Sequence, residues 1–333
     1  MTGPIAKQDV KSETLHPVRV FASGLCMGAA DIVPGVSGGT VALVLGVYQR
    51  LLTAISHFDS RFLWLIRNKQ WAAAIAHIDL RFLLVLGAGV LTGALGLAGV
   101  MDFLLHEHRS LTFAAFFGLI LASGVLVGRM TQAKGAGQVI GCVALGVVAA
   151  GIAFWLTNLG HVAPMPGLVY TFLCGAIAIC AMILPGVSGA YLLLVLGKYE
   201  HVTGILKSLP RGQATGDDLV TIAVFCAGCL TGLLLFSKLL KWLLEAYWTP
   251  TMSVLCGFMM GSLYRVWPLQ IDTTPEIEKI KHKVFQPYWP EQWTSEATWC
   301  LLIAVGCFVG VLLIDSLANR VGESSDPAEP EQA

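Results

Sequence analysis

Charge is scarce in this sequence. Asp, Glu, Lys and Arg make up 13% of the 333 residues, against about 25% in a soluble domain. The 21 basic residues offset 21 acidic ones, so the formal net charge is zero. Without a basic excess or a patch of basic and aromatic residues there is no footprint for nucleic acid, and none is expected as a partner. The nine cysteines fall in apolar runs and read as reduced packing residues. A His-x-His spacing occurs once, at His106 and His108, beside Arg109. It lies in a short connection whose counterpart later in the chain reads Glu245-Ala246-Tyr247-Trp248, so neither a metal nor a cofactor is expected. The opening "MTGPIAKQDVKSETLHPVRV" is polar for too long to be a signal peptide, and residues 1–17 read as a cytoplasmic lead. Residues 319–333 carry the small, acidic "GESSDPAEPEQA" and read as a disordered tail.

What fills the space left by charge is hydrophobic: 56% of residues, with a mean hydropathy of +0.72. This is an all-α integral membrane protein. Apolar segments lie near 18–33, 37–56, 81–105, 111–129 and 138–157, and again near 168–184, 187–206, 218–245, 250–267 and 298–318. The two sets of five correspond. Pro34-Gly35-Val36-Ser37-Gly38 is repeated as Pro185-Gly186-Val187-Ser188-Gly189 at an offset of 151 residues, and Leu45-Gly46 and Tyr48 recur as Leu196-Gly197 and Tyr199. Leu91-Thr92-Gly93 then matches Leu230-Thr231-Gly232 at an offset of 139, as do Gly118 with Gly257 and Ser123 with Ser262. Three matches in order argue for duplication: a first repeat over 18–157 and a second over 168–318.

The odd feature of each repeat is its first pair of segments. About 16 apolar residues precede Pro34, fewer than the ~20 that a spanning helix needs. Pro34-Gly35 and Pro185-Gly186 then break the helix, and the serine that follows can cap a new one. Broken backbone at membrane depth is tolerated only inside protein or along a wet cavity, so each pair is expected as a re-entrant hairpin. That topology places Lys7, Lys11, Arg19, Arg50, Arg61, Arg67, Lys69 and Arg81 together on the cytoplasmic side, as the positive-inside rule requires. A single kinked span over 18–56 would split them. A hairpin plus three spans is an odd number of crossings, so the second repeat is expected to insert upside down. Inverted repeats with broken helices meeting at the midplane are transporter architecture. Tyr288, Trp289, Trp293 and Trp299 suit an aromatic belt on the outer side.

The breaks also carry the chemistry. Free N–H groups at the start of a helix bind anions, phosphate above all. Gly38, Gly39 and Gly189 would let a ligand approach the backbone, and Ser37, Thr40, Ser188 and Tyr191 add hydroxyls. Glycine can also serve only to pack helices closely, but packing does not call for the proline and serine of the repeated motif. Arg129 and Arg265 end equivalent helices and are candidate cations for the same anion, or else interfacial side chains. Asp31, three residues before Pro34, has Met182 as its counterpart. An acid at membrane depth is a functional candidate; it could couple transport to H+ or Na+, or cap its own hairpin.

The stretches "MGAADIVPGVSGGTVALVLGVY" and "AMILPGVSGAYLLLVLGKYE" resemble the paired signature of the bacterial polyprenyl-phosphate transporter family, over about 18–318. The resemblance implies a multi-pass protein of the bacterial cytoplasmic membrane that is not an enzyme and returns undecaprenyl phosphate across the bilayer; the hairpin topology places both termini inside. The family often has an acid after the first hairpin's tyrosine, where this chain has Gln49; Glu200 fills the second position. A rival class is the undecaprenyl pyrophosphate phosphatases, which share a Pro-Gly-x-Ser hairpin but continue with arginine and add paired glutamates. Here Gly38 stands in the arginine position, and neither hairpin core holds a glutamate. A transporter of small ions or anions is the other alternative.

The topology can be checked by labelling from outside with a membrane-impermeant thiol reagent. A cysteine introduced beside Arg211 should be modified and one beside Arg67 spared; the reverse pattern would refute the inverted arrangement.

Overall fold

The computed structural model describes residues 16–32, 37–159, 165–274 and 285–324, with side chains of the last helix described as far as Ser316. Pro34, Gly35, the polar lead as far as residue 15 and the tail from residue 325 lie outside the described residues. The first half runs α1 (Pro17–Ile32), α2 (Gly38–Val44), α3 (Tyr48–Ser56), α4 (Ser60–Arg67), α5 (Trp71–His77), α6 (Leu80–Gly96), α7 (Ala98–Glu107), α8 (Arg109–Arg129) and α9 (Ala136–Thr157). The second runs α10 (Leu168–Ile183), α11 (Gly189–Val195), α12 (Tyr199–Ser208), α13 (Gly216–Ala246), α14 (Trp248–Ser262) and α15 (Ser295–Ser324). Between α14 and α15 a two-stranded antiparallel hairpin, β1 (Gln270–Asp272) and β2 (Phe285–Pro287), pairs Ile271 with Gln286. Hydropathy alone marks no element in that stretch.

The chain is an all-α membrane protein. Among the described residues four helices are long and apolar enough to cross a bilayer alone, α8, α9, α13 and α15; counting bent helix pairs as single spans gives up to six. Their surfaces are large apolar side chains, such as Val147 and Val148 on α9 and Leu301 and Leu302 on α15. In water that would be a fault; in lipid it is the solvated surface.

Four expected segments are shorter or more broken than hydropathy suggests. Segment 37–56 is two helices, α2 and α3, bent by 113°. The stop is a Schellman motif. Gly46 takes φ +73°, its N–H donates to the Leu43 carbonyl, and the Val47 N–H reaches back to Ala42. The second copy repeats it: Gly197 has φ +69°, with Gly197 N–H on Leu194 and Lys198 N–H on Leu193. The recurrent Leu-Gly is therefore a helix stop. Segment 81–105 is split at Leu97 into α6 and α7. Segment 250–267 yields only the 15-residue α14; beyond it, Arg265, Val266 and Trp267 donate to the third residue back and the chain tightens into turns.

The presumed loop 56–80 holds two short helices. Asp59 caps α4, accepting from the Phe62 N–H, and accepts from or shares a proton with His77 Nε2 at 3.2 Å. Partial burial works against ionisation of Asp59, yet the Phe62 amide and His77 outweigh it and hold the carboxyl below its usual range.

Helix pairing follows the two offsets in the sequence. α1 lies along α6, and α10 along α13. A Cβ built on Gly24 would strike the Leu86 carbonyl, and one on Gly175 the Phe225 carbonyl; Gly89 faces the Phe21 carbonyl and Gly228 that of Phe172. Gly93 against Leu25 recurs as Gly232 against Ala176. Farther along, α8 packs on α15 and α14 on α9, with Gly118 against Ala304 and Gly257 against Gly146. In each pair a glycine admits the partner's backbone, the close packing that small residues permit between helices in lipid.

Replacing Gly228 by leucine should therefore separate α10 from α13 and lower the thermal unfolding temperature and the yield of folded protein. Gly89→Leu should do the same to α1 and α6. Gly151→Leu, where a Cβ meets nothing within 4 Å, should leave both unchanged in the same detergent.

Candidate functional site

The second break is well defined. After α10 the chain turns through Leu184, Pro185 and Gly186, where Gly186 adopts φ +86° and lies against the backbone of Phe258 and Met259 on α14. Only glycine fits both demands. Ser188 then caps α11, its Oγ accepting from the Tyr191 N–H at 3.3 Å. In the first copy Ser37 caps α2 in the same way, accepting from the Gly39 N–H at 3.2 Å.

Helices α2 and α3 meet the second break. The Thr40 Oγ1 accepts the Gly186 N–H at 2.9 Å, and the Tyr48 hydroxyl donates to the Ile183 carbonyl at 2.9 Å. Gly39 faces the carbonyls of Met182 and Ile183, each 3.0 Å from where its Cβ would stand. Thr40, Tyr48 and Ser37 are all buried. The first tip thus supplies partners to backbone groups that the second break leaves open.

This alters the reading of several residues. The amides at the start of α2 are occupied: the Gly38 N–H donates to Asp31 Oδ1 at 2.7 Å. Asp31 is exposed and holds its own hairpin closed. Gly38 and Gly189 are needed for that closure. A Cβ on Gly38 would meet the Asp31 carboxylate, and one on Gly189 would meet Met182 and the Ala178 carbonyl. Asp31 and Met182 are counterparts, so the same contact is made twice, once polar and once apolar. Valine at either glycine would test hairpin packing more than ligand approach.

The second tip is more open. No hydrogen bond from the N–H of Gly189 or Ala190 is found among the described residues, and the Ser188 hydroxyl hydrogen is free to donate while its oxygen caps α11. A small cavity is bordered by Thr157, Gly186, Ser188, Tyr191 and Arg265. Its enclosed part has room for little more than one water. The Arg265 guanidinium stands over the Tyr191 ring at 5.0 Å. The Tyr191 hydroxyl donates to the Thr157 carbonyl at 2.8 Å, joining α11 to the end of α9. Ser188, Tyr191 and Arg265 are thus brought together, whereas Gly189 faces α10 and neither it nor Arg129, exposed at the end of α8, borders this cavity.

Sequence reasoning missed Arg109. Its guanidinium lies 3.2 Å from the centre of the Phe285 ring and 4.8 Å from that of Phe113. One nitrogen donates to Gln270 Oε1 at 3.3 Å, and Gln270 Nε2 donates to the Arg265 carbonyl at 2.9 Å. The contact spans 161 positions, so no local pattern announces it. Reading the cysteines as packing residues also passes over the Cys226-x-x-Cys229 spacing, which lies within α13. All nine cysteines are free thiols, and no group of three or more His, Cys, Asp or Glu is placed to hold a metal among the described residues.

Broken apolar helices that join around a small polar contact define a multi-pass helical membrane protein of the transporter type. The chain belongs to the VCA0040-like, undecaprenyl phosphate translocase-like family, whose profile matches residues 27–284. It is 34% identical over 308 residues to a polyprenyl-phosphate transporter of Vibrio cholerae serotype O1, covering 91% of this chain and 96% of that protein. A polyprenyl-phosphate transporter of Staphylococcus aureus is 29% identical over 253 residues, 74% of this chain and 84% of the relative. No solved structure matches.

The capping role of Asp31 is testable by stability alone. Asp31→Asn keeps an oxygen for the Gly38 N–H and should unfold near the wild-type temperature. Asp31→Ala leaves that amide unpaired, which costs about 1–3 kcal/mol, and should unfold measurably lower.

Proposed function

We propose that this protein carries undecaprenyl phosphate across the bacterial cytoplasmic membrane, returning the lipid carrier from the outer to the inner leaflet with its phosphate held at the paired PGVSG tips. The observation that carries the reading is Arg265 beside Ser188 at the second tip. A phosphate moved out of water needs a charged or strongly donating partner, because desolvating an ion costs several kcal/mol. Arg265, the Ser188 hydroxyl and the amides of Gly189 and Ala190 supply such partners, with Tyr191 holding the guanidinium in place. Further support comes from the family and from the names of its relatives, which are transporters and not hydrolases. The two halves act as inverted repeats, each a re-entrant hairpin plus three spanning units, with both termini cytoplasmic. The contacts fit those sides: Lys241 meets His57 at 3.4 Å on the inner face, and Arg109 meets Gln270 on the outer.

Ser37, Gly38, Gly39 and Thr40 form the first tip's share of the site, with the Gly38 and Gly39 amides engaged within their own hairpin and the Thr40 oxygen accepting from the second tip. Arg129 receives the phosphate at the opposite surface. H+ or Na+ coupling is assigned to Asp31, whose second oxygen stays available while Oδ1 holds the hairpin. Arg265 at the cavity offsets part of the head-group charge, and coupling at Asp31 sets the rate or direction.

The test uses the whole protein in vesicles carrying labelled undecaprenyl phosphate, with and without an ion gradient. Wild type should flip the lipid and release no inorganic phosphate. Arg265→Gln should slow flipping by about tenfold or more, the value of a charge-assisted hydrogen bond. Asp31→Asn should still flip the lipid but lose any stimulation by the gradient. Release of phosphate by wild type would instead make the protein a hydrolase, and a wild-type rate in Arg265→Gln would remove the second tip as the head-group site.

A further inference from the structure

We propose that Arg109 is a second head-group residue, forming with Arg265 a two-guanidinium receptor for a phosphate dianion that Gln270 holds in register. This rests on the reading of the second tip as the phosphate site and deepens it.

Arg109 is placed as a ligand-binding arginine. Its Nε is buried and has no hydrogen-bond partner, the one such side-chain nitrogen or oxygen among the described residues. An unpaired buried donor on a charged group is costly. The rings of Phe113 and Phe285 fix the plane of the guanidinium without consuming its donors. Neither Arg109 nor Arg265 forms an ion pair among the described residues. Gln270 ties the two together, accepting from one side chain and donating to the backbone of the other. The charged groups whose fields reach Arg109 are Arg265, which repels it, and Asp272, on the adjacent strand. An anion between the arginines would satisfy the orphan Nε and relieve the repulsion.

Charge selects the ligand class. A phosphate monoester carries about −1.5 to −2 at pH 7, with its second pKa near 6. Two arginines match the dianion, and their planar forks suit its oxygens. A single arginine would leave net negative charge at membrane depth. The receptor therefore favours a terminal phosphate over a singly charged phosphodiester head group such as that of a glycerophospholipid, with which a carrier in a bilayer must otherwise contend.

The experiment measures binding of undecaprenyl phosphate to full-length protein in detergent at about pH 5 and about pH 7.5, on either side of the second phosphate pKa. Wild type should bind several-fold more tightly at the higher pH. Arg109→Gln should bind about 10- to 100-fold more weakly there and lose most of that rise. Arg109→Lys, which keeps the charge but not the fork, should bind more weakly than wild type yet keep the rise. Wild-type affinity and pH response in Arg109→Gln would overturn the proposal and leave Arg109 as a strut between α8 and the β-hairpin. Should Arg109→Gln fail to fold, Arg109→Lys decides: weakened binding with the rise intact supports the receptor, and unweakened binding overturns it. Failure of wild type to bind the lipid at either pH would overturn this proposal together with the head-group reading it rests on.

Discussion

The structure depends on one requirement of the bilayer: backbone groups freed by a broken helix must find partners inside the protein, because lipid offers none. At Gly186 the partner is the Thr40 hydroxyl, and at Ile183 it is the Tyr48 hydroxyl. Both cross from the other half of the chain. The break that makes a polar site possible in one repeat is thus held by the tip of the other. In the first hairpin the corresponding work at Gly38 is done locally, by Asp31.

From that requirement follows a division of labour between two copies of one motif. Both serines cap, both Leu-Gly pairs stop a helix, and both hairpin glycines press on the opposite arm. The copies differ where one residue was exchanged: Asp31 for Met182, Thr40 for Tyr191. Thr40 is short and buried and turns its oxygen toward the neighbouring break. Tyr191 is longer, reaches the end of α9 and presents its ring to Arg265. Among the described residues the amides of Gly38 and Gly39 at the start of α2 are taken up, and those of Gly189 and Ala190 at the start of α11 are not.

Much of this was legible in the sequence because it is local. Hydropathy fixes α8, α9, α10, α13 and α15 to within a few residues, since bilayer thickness and side-chain transfer energy act on each segment alone. The PGVSG breaks and serine caps follow from proline and serine chemistry. Leu45-Gly46 was visible as a repeat but its meaning was not, because a Schellman stop depends on φ at one glycine. The short helices α4 and α5 hid among charged residues, and the β1–β2 hairpin within a polar stretch. For Asp31 the sequence leaves two readings, an ion-coupling acid or a cap on its own hairpin, and only the distance to the Gly38 amide shows the capping contact. Arg109 was hidden for another reason: apart from Phe113, its partners Gln270 and Phe285 lie more than 150 positions away, and only the fold brings them together.

The glycine seams between helices have a mechanical consequence. Where a carbonyl of α1 sits on Gly89 or Gly93 of α6, sliding one helix past the other by a turn would drive that carbonyl into a side chain. The same holds for α10 on α13, α8 on α15 and α9 on α14. Each pair is therefore a stiff bar of two helices, and the molecule is four such bars joined by thinner connections. Any change of shape has to be taken up between bars, across the apolar core that joins α8 to α14 and α13 to α3 and at the polar bonds of Thr40 with Gly186 and Tyr48 with Ile183. Of these, the Thr40–Gly186 bond ends on a residue that borders the cavity, so a shift between bars there would change the cavity's wall.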